Sequence, residues 1–496
     1  MDITLRRPVV TEATGQARPA RAAFVGTLVV VALVWAATAV RVLGGIELGG
    51  GDQGTFLSVA ERLRAGDRLY VDVWDNKEPF FFYALALLRA VTPYAALVLD
   101  LLALVLSSAA GYAVLRSLRT PTVRSLLAAG SLTPLVLTGV AYAPGMTHLP
   151  ATALVLVAVA AALRDRWATA GALLVVAAMF KVLLLPVGVA AVVALAVARG
   201  RAARLWRSVV AGLGVAVATG GLLVWRGELG PFVAALRANV GYSQGDLTPS
   251  GLHAVFTHVM RVMPEGGSGA GVVTLLGLAA CLVVAAPRPR HRPGPRRAAL
   301  WWATVAGTLA AVLVIAGTGL WPHHTQVLYC PGLLAVLLVA RRPRLGASPG
   351  PLAGLLLALL VAGGSHPYVY VQSWRGIDGS LASMRGASPE ARVMATLADG
   401  GTYARLGTND VSAHARGLGG WQLACARFHQ YPFDPPAVLD ATLACLDRAD
   451  TVIVDRELTE QAGQPAWNAF VREARARFRS GYTCVSFDHG EICHRG

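Results

Sequence analysis

Apolar residues in this chain run in long blocks that carry no polar face, and clusters of arginine separate the blocks. A helix that is hydrophobic all round must be buried in a core or a bilayer, and a membrane-spanning helix takes about 20 such residues. Cut at the arginines, the pattern predicts eleven passes, at 23–43, 94–115, 125–143, 149–163, 168–180, 183–198, 208–225, 269–287, 298–317, 325–340 and 350–365. The clusters fall at Arg18/Arg21, Arg116/Arg119/Arg124, Arg164/Arg166, Arg199/Arg201/Arg204/Arg207, Arg288/Arg290/Arg292/Arg296/Arg297 and Arg341/Arg342/Arg344, on every second connection. Basic connections belong in the cytoplasm. The segment 1–22 is therefore expected inside, with 23–43 as a retained anchor, and an odd number of passes puts the chain end outside. Residues 168–198 form one apolar stretch of about 31 residues, roughly 46 Å as a helix against a hydrocarbon core of about 30 Å. Two short passes meeting near Lys181 are expected there. A single tilted helix is the alternative, and it would invert everything downstream.

Composition agrees: 55% of the 496 residues are hydrophobic and 15% charged, which excludes a cytosolic enzyme, a secreted disulfide scaffold and a disordered tail protein. The net charge of +16 is explained by cytoplasmic loops, and no nucleic-acid partner is implied. Fourteen of the 28 acids lie in 366–496 together with 13 of the 44 basic residues, so that stretch reads as a near-neutral soluble domain. Short strands at TYARLGTN and DTVIVDREL alternate there with helices near 436–447 and 465–478, the pattern of a small extracytoplasmic α/β domain. A four-residue turn from Phe487 to Gly490 would set Cys484 opposite Cys493 and leave Cys425 to pair with Cys445, while Cys281 and Cys330 lie in passes.

The outer loop 44–93 holds half of the acids found before residue 366: Glu47, Asp52, Glu61, Asp67, Asp72, Asp75 and Glu78. Residues 53–64 place Phe56, Leu57, Ala60 and Leu63 on one helical face, the pattern of a helix lying in the membrane interface. A second helix starts after Pro79, and Phe80, Phe81, Phe82 and Tyr83 suit an interfacial aromatic belt. Lysine occurs only at Lys77 and Lys181. Asp52 ahead of an amphipathic helix also suits an N-cap, Lys77 a surface ion pair with Asp75 or Glu78, and Lys181 an interfacial snorkel. Asp100, inside the second pass, needs a partner, for which Arg89 is the expected one.

Asp52, then Gly66/Tyr70/Asp72, then Asp75/Lys77/Pro79 followed by aromatics resembles the motif order of the GT-C glycosyltransferases, the branch with protein O-mannosyltransferases and the lipid A aminoarabinose transferase. AAMFKVLLLP around Lys181 and GLWPHHTQVLYCPGLLAVLL are similar to further segments of that family, so the likeness spans most of 23–345. The chain departs from the pattern at the outer end of the third pass, where His148 stands in place of an acid. The resemblance implies an all-helical GT-C-like membrane domain at 23–365 whose catalytic loop is 44–93. It also implies sugar transfer from a polyprenyl-phosphate donor to a lipid, glycan or protein acceptor on the outer face of the plasma membrane. In that reading Asp52 is the base of an inverting displacement, and Lys77 holds the donor phosphate with Lys181, His323 and His324 as further contacts. Asp72, Asp75, Tyr83 and His148 are accessory or acceptor-side candidates. The two histidines stand equally as caps of adjacent passes, and an Asp72/Asp75 divalent-cation site is weaker than plain solvation. A lipid or glycan transporter is the alternative function; it would gather polar groups at mid-membrane, whereas here they gather in outer loops. A structural envelope scaffold is a third, and it would leave no single loop residue essential.

Overall fold

The computed structural model describes residues 17–44, 52–139, 142, 144–242, 279–286, 294–318, 322–341, 367–384, 393–394, 396, 400–407, 421–427, 430–432, 434–456, 458–487 and 490–496. Helices form where the apolar blocks predict them: α1 (Ala17–Gly44), α4 (Ala95–Ser117), α5 (Thr122–Leu137), α6 (His148–Leu163), α7 (Trp167–Phe180), α8 (Leu184–Ala198), α9 (Leu205–Trp225), α11 (Pro295–Gly317) and α12 (Tyr329–Ala340). Between α1 and α4 lie α2 (Asp52–Arg64) and α3 (Pro79–Arg89), and α10 (Leu229–Tyr242) follows α9. Of the pass expected at 269–287 only 279–286 is described, and the pass at 350–365 lies outside the described residues.

Among the described residues, four helices are long and apolar enough to cross a membrane, Phe24–Gly44, Ala95–Ser117, Ala202–Trp225 and Pro295–Gly317. The protein is a membrane protein on a second ground as well. Leu33 on α1, Val105 on α4, Val197 on α8, Val209, Leu213 and Val217 on α9 and Leu309 on α11 are exposed, so the bundle turns large apolar side chains outward. Water would penalise that arrangement, and lipid does not. Small residues let backbones meet: a Cβ on Gly171 of α7 would lie 1.9 Å from the Ser208 carbonyl oxygen of α9.

The stretch 168–198 is two helices, as the sequence predicts. Lys181 between them takes an extended conformation (φ −159°, ψ 105°). Pro186 falls in the first turn of α8, where its missing N–H is tolerated, whereas a continuous helix would place the ring against a preceding carbonyl. One expectation is qualified and one is overturned. The first half of helix α2 has no wet face, because Gln53 through Ala60 are all buried, the polar Gln53, Thr55 and Ser58 included, while Glu61, Arg62 and Arg64 keep partial exposure. Gln53 Nε2 donates to the Pro144 carbonyl (2.9 Å) and Ser58 Oγ to that of Gly54 (3.0 Å), which allows their burial. Nor does Asp100 pair with Arg89. Its carboxylate accepts from Tyr142 Oη (2.8 Å) and Gly145 N–H (2.7 Å), while Arg89 donates to Glu61 through Nε (2.8 Å) and to the Pro93 carbonyl (2.6 Å).

Beyond the bundle, α13 (Pro367–Met384) packs along α1 so closely that a Cβ on Gly44 would meet the Ser373 backbone. A five-stranded sheet follows, ordered β2 (Trp421–Leu423), β1 (Gly401–Leu406), β3 (Thr451–Asp455), β5 (Gly490–His494), β4 (Thr483–Phe487). β1, β2 and β3 are parallel, and β5 runs antiparallel to both β3 and β4. Helix α14 (Pro436–Leu446) connects β2 to β3, and the amphipathic α15 (Pro465–Gly481) lays Trp467, Phe470, Val471 and Ala474 on the sheet. Cys484 stands opposite Cys493 in the β4–β5 hairpin, and the disulfides are Cys484–Cys493 and Cys425–Cys445.

Candidate active site

The site is built by the pairing of α2 with α3. Phe56 of α2 meets Phe81 (ring centroids 5.0 Å apart) and Phe82 (5.8 Å) edge to face, an arrangement aromatic quadrupoles favour. Pro79 at the first position of α3 starts the helix with its φ already set. The segment Asp75–Glu78 thus lies at the positive end of α3, and the Lys77 ammonium sits 5.8 Å from the Phe56 ring centre. Asp75 Oδ1 accepts the Lys77 N–H (2.9 Å), and Lys77 Nζ donates to Asn76 Oδ1 (2.8 Å).

A second connection comes from the α7–α8 break. Glu78 is 1% exposed, and its Oε1 accepts the Val182 N–H (2.7 Å). That bond ties the DNKEP segment to the residue after Lys181, itself 4% exposed. Glu78, Lys77, Asp52 and Asp75 all act electrostatically on Lys181, so these five side chains form one cluster. Burial raises the Asp75 pKa above its ordinary value, and the neighbouring Lys77 only partly offsets this. Burial alone would lower Lys77, but the carboxylates of Asp52, Asp75 and Glu78 outweigh it and raise the lysine.

The loop that carries the motif is held from behind by Glu228, which is fully buried at the start of α10. Its Oε1 accepts from Leu69 N–H (3.0 Å) and Arg226 Nε (2.8 Å), and its Oε2 accepts from Tyr83 Oη. Tyr70 has φ +67°, unusual for a residue with a Cβ. It is kept there by its N–H to the Val73 carbonyl (2.7 Å) and by its hydroxyl to the Lys77 carbonyl (2.7 Å). The positive φ is therefore part of how the lysine is placed. Sequence reading passed over Glu228. The signal available was a lone acid directly after a pass in a chain whose basic loops are otherwise almost free of carboxylates.

Among the remaining candidates, Tyr83 faces Glu228 and Arg226 as part of the scaffold. Burial, with the Glu228 bond, raises its pKa. Asp72 is exposed, bonded to Arg68 Nε (2.9 Å) and lowered by that bond. Asp75, by contrast, is buried. Among the described residues, the group with metal-like spacing is Cys484, Glu491 and Cys493, whose sulfurs are joined as a disulfide. His148, fully buried at the start of α6, faces His324 with ring centroids 6.3 Å apart, and His324 Nδ1 lies 3.2 Å from Thr318 Oγ1. His323 belongs to the same 3-10 turn, Pro322–Leu328, but its side chain lies outside the described residues.

No protein-family model matches the chain, and no curated protein matches it in sequence. Among solved structures it is similar to ArnT from Cupriavidus metallidurans bound to undecaprenyl phosphate, with 15% identity and a TM-score of 0.60 over 94% of this chain and 97% of that one. It is similar also to the apo state of that protein, with 14% identity and a TM-score of 0.57 over 95% of this chain and 98% of that one. At these identities the likeness shows the fold. That fold is shared along almost the whole length of both chains.

Proposed function

We propose that the protein transfers a sugar from a polyprenyl-phosphate carrier to an acceptor hydroxyl at the extracytoplasmic face, with inversion at the anomeric carbon. The observation that carries this reading is that the only two lysines of the chain, far apart in sequence, are brought within electrostatic range of one another, Asp52 and Glu78, with Glu78 bonded to the residue after Lys181. The fold shared with an undecaprenyl phosphate-bound structure supports a lipid phosphate as the group they face. Asp52 removes the acceptor proton as the acceptor oxygen attacks the anomeric carbon. The bond from that carbon to the phosphate oxygen breaks, and the electron pair leaves with the polyprenyl phosphate. Lys77 and Lys181 stabilise the charge gained by the leaving group, and they act most strongly where charge develops. The acceptor is a lipid, a glycan or a protein.

Asp52→Asn keeps size and much of the helix-capping capacity but removes basicity. In proteoliposomes supplied with polyprenyl-phosphate sugar, its turnover should fall by about 10²–10⁴ with donor affinity retained, the range general-base removal covers. Lys77→Ala should weaken donor binding and slow the chemical step as well. Near-normal turnover in the first variant, or unchanged affinity and rate in the second, would overturn the assignment.

A further inference from the structure

Among the described residues, the terminal domain meets the donor loop at Trp74 by two different interactions. Trp74 donates its backbone N–H to the Ala426 carbonyl (2.8 Å), and the Arg427 guanidinium lies 3.4 Å from the centre of the Trp74 ring. Flat stacking at that distance uses the planarity of arginine, which lysine lacks. Arg427 is oriented in turn by Asp434 (Nη1 to Oδ1, 3.1 Å), whose other oxygen accepts the Tyr431 N–H (2.9 Å). Immediately before this pair, Ala424 N–H donates to the Tyr403 carbonyl of β1 (2.7 Å), and buried Cys425 is joined to Cys445 of α14. Leu423 packs against the same apolar cluster as Phe56, Tyr70 and Val73.

Trp74 directly precedes Asp75, which accepts the Lys77 N–H, and so the latched residue is three positions from the lysine that faces the donor. We propose that the terminal domain is a positioning element of the donor site: Ala426 and Arg427 latch Trp74, and the Cys425–Cys445 disulfide holds the latch segment at the correct height. This rests on the transferase reading for its kinetic consequence, although the latch itself does not. The loop between Gly66 and Pro79 is braced internally by the Arg68–Asp72 pair and by the Tyr70 bonds to Val73 and Lys77, and from behind by Glu228; Ala426 and Arg427 brace it at Trp74, next to Asp75. Without the latch the lysine backbone keeps its covalent place but loses one side of its support. The expected effect is on donor binding more than on the chemical step.

Hydrogen exchange at the Trp74 amide and donor kinetics, measured on the full chain in proteoliposomes, test this together. Arg427→Ala should lose Trp74 protection and raise the donor KM about tenfold with kcat changed less than threefold, while Arg427→Lys should recover only part of the KM. Replacing Cys425 and Cys445 together by alanine should repeat the Arg427→Ala pattern. The matched Cys484 and Cys493 pair of alanine replacements should behave as wild type. Unchanged Trp74 exchange and KM in Arg427→Ala, or equal effects of the two cysteine pairs, would overturn the proposal. A wild-type protein that protects Trp74 but transfers no sugar would instead sink the transferase reading and leave the latch standing.

Discussion

At the residue scale, Lys77 and Asp75 both favour the folded state less as pH rises, for different reasons. The folded pKa of Lys77 is raised above its ordinary 10.5. Its contribution is therefore complete below that value and is lost as pH rises through the folded one. Since a phosphodiester donor keeps one charge over this range, the Lys77 part of donor affinity should be flat from about pH 7 to 10, whereas burial lowers Lys181; a decline centred near neutrality that persists in Lys181→Ala would exclude Lys77 as the phosphate contact. Asp75, raised above 3.8 by burial, also costs stability as pH rises, but as a penalty gained where Lys77 loses a favourable charge. Below 3.8 both folded and unfolded chains hold the proton. As pH rises through the folded value, the folded state carries an ionised buried carboxylate that it disfavours. Asp75→Asn, whose Oδ1 can still accept the Lys77 N–H, should raise the thermal midpoint in detergent at pH 7 and leave it nearly unchanged at pH 3.5. Glu228→Ala leaves Leu69 N–H, Tyr83 Oη and Arg226 without their shared acceptor. Removing one member of a buried ionic group costs about 3 kcal/mol, to be seen as a lower denaturation midpoint and faster exchange across 66–73. A Glu228→Ala chain as stable as wild type would show that the loop is held by other contacts.

At the scale of elements, the break at Lys181 sets both the site and the topology. Its cause is local: Pro186 blocks a continuous helix, and the Glu78 carboxylate accepts the Val182 N–H that the break exposes. If α7 and α8 are separate passes, the connection before α9 is cytoplasmic and the turn after it is outside. With Cys281 and Cys330 replaced by alanine, Gly230→Cys should label from outside, since a side chain there meets open space, and exposed Arg201→Cys only after permeabilisation. The reverse pattern would make 168–198 a single crossing. The α2–α3 pair shows what periodicity hides. The apolar stripe of α2 was readable in the sequence, yet the polar residues of its first half are buried too, Gln53 because a backbone carbonyl at Pro144 accepts its amide from a part of the chain no spacing rule connects to it.

At the scale of the whole molecule, the terminal domain and the bundle form one working unit through Trp74. Peptide mapping without reduction should recover Cys484 linked to Cys493 and Cys425 linked to Cys445; four free thiols would remove the covalent support of the latch and argue against an outer location. The sequence by itself determined the membrane character, the positions of the described helices other than α10 and α13, the α/β terminal domain and the hairpin disulfide, because these depend on hydrophobic block length, arginine punctuation and residue spacing, all local along the chain. It also marked Asp52, Lys77 and Lys181 through composition and the resemblance of one loop. Only the tertiary structure decided which of the marked residues converge. Tyr83 and Asp72 turned out to be held by Glu228 and Arg68, away from the lysines, and Asp100 took Tyr142 and Gly145 in place of Arg89. Buried carboxylates need partners wherever the fold happens to present donors, and those donors come from helices separated by scores of residues. For the same reason Glu228 and Arg427 could not be picked out of the sequence, since what makes each of them matter is a backbone or a ring brought to it by the fold.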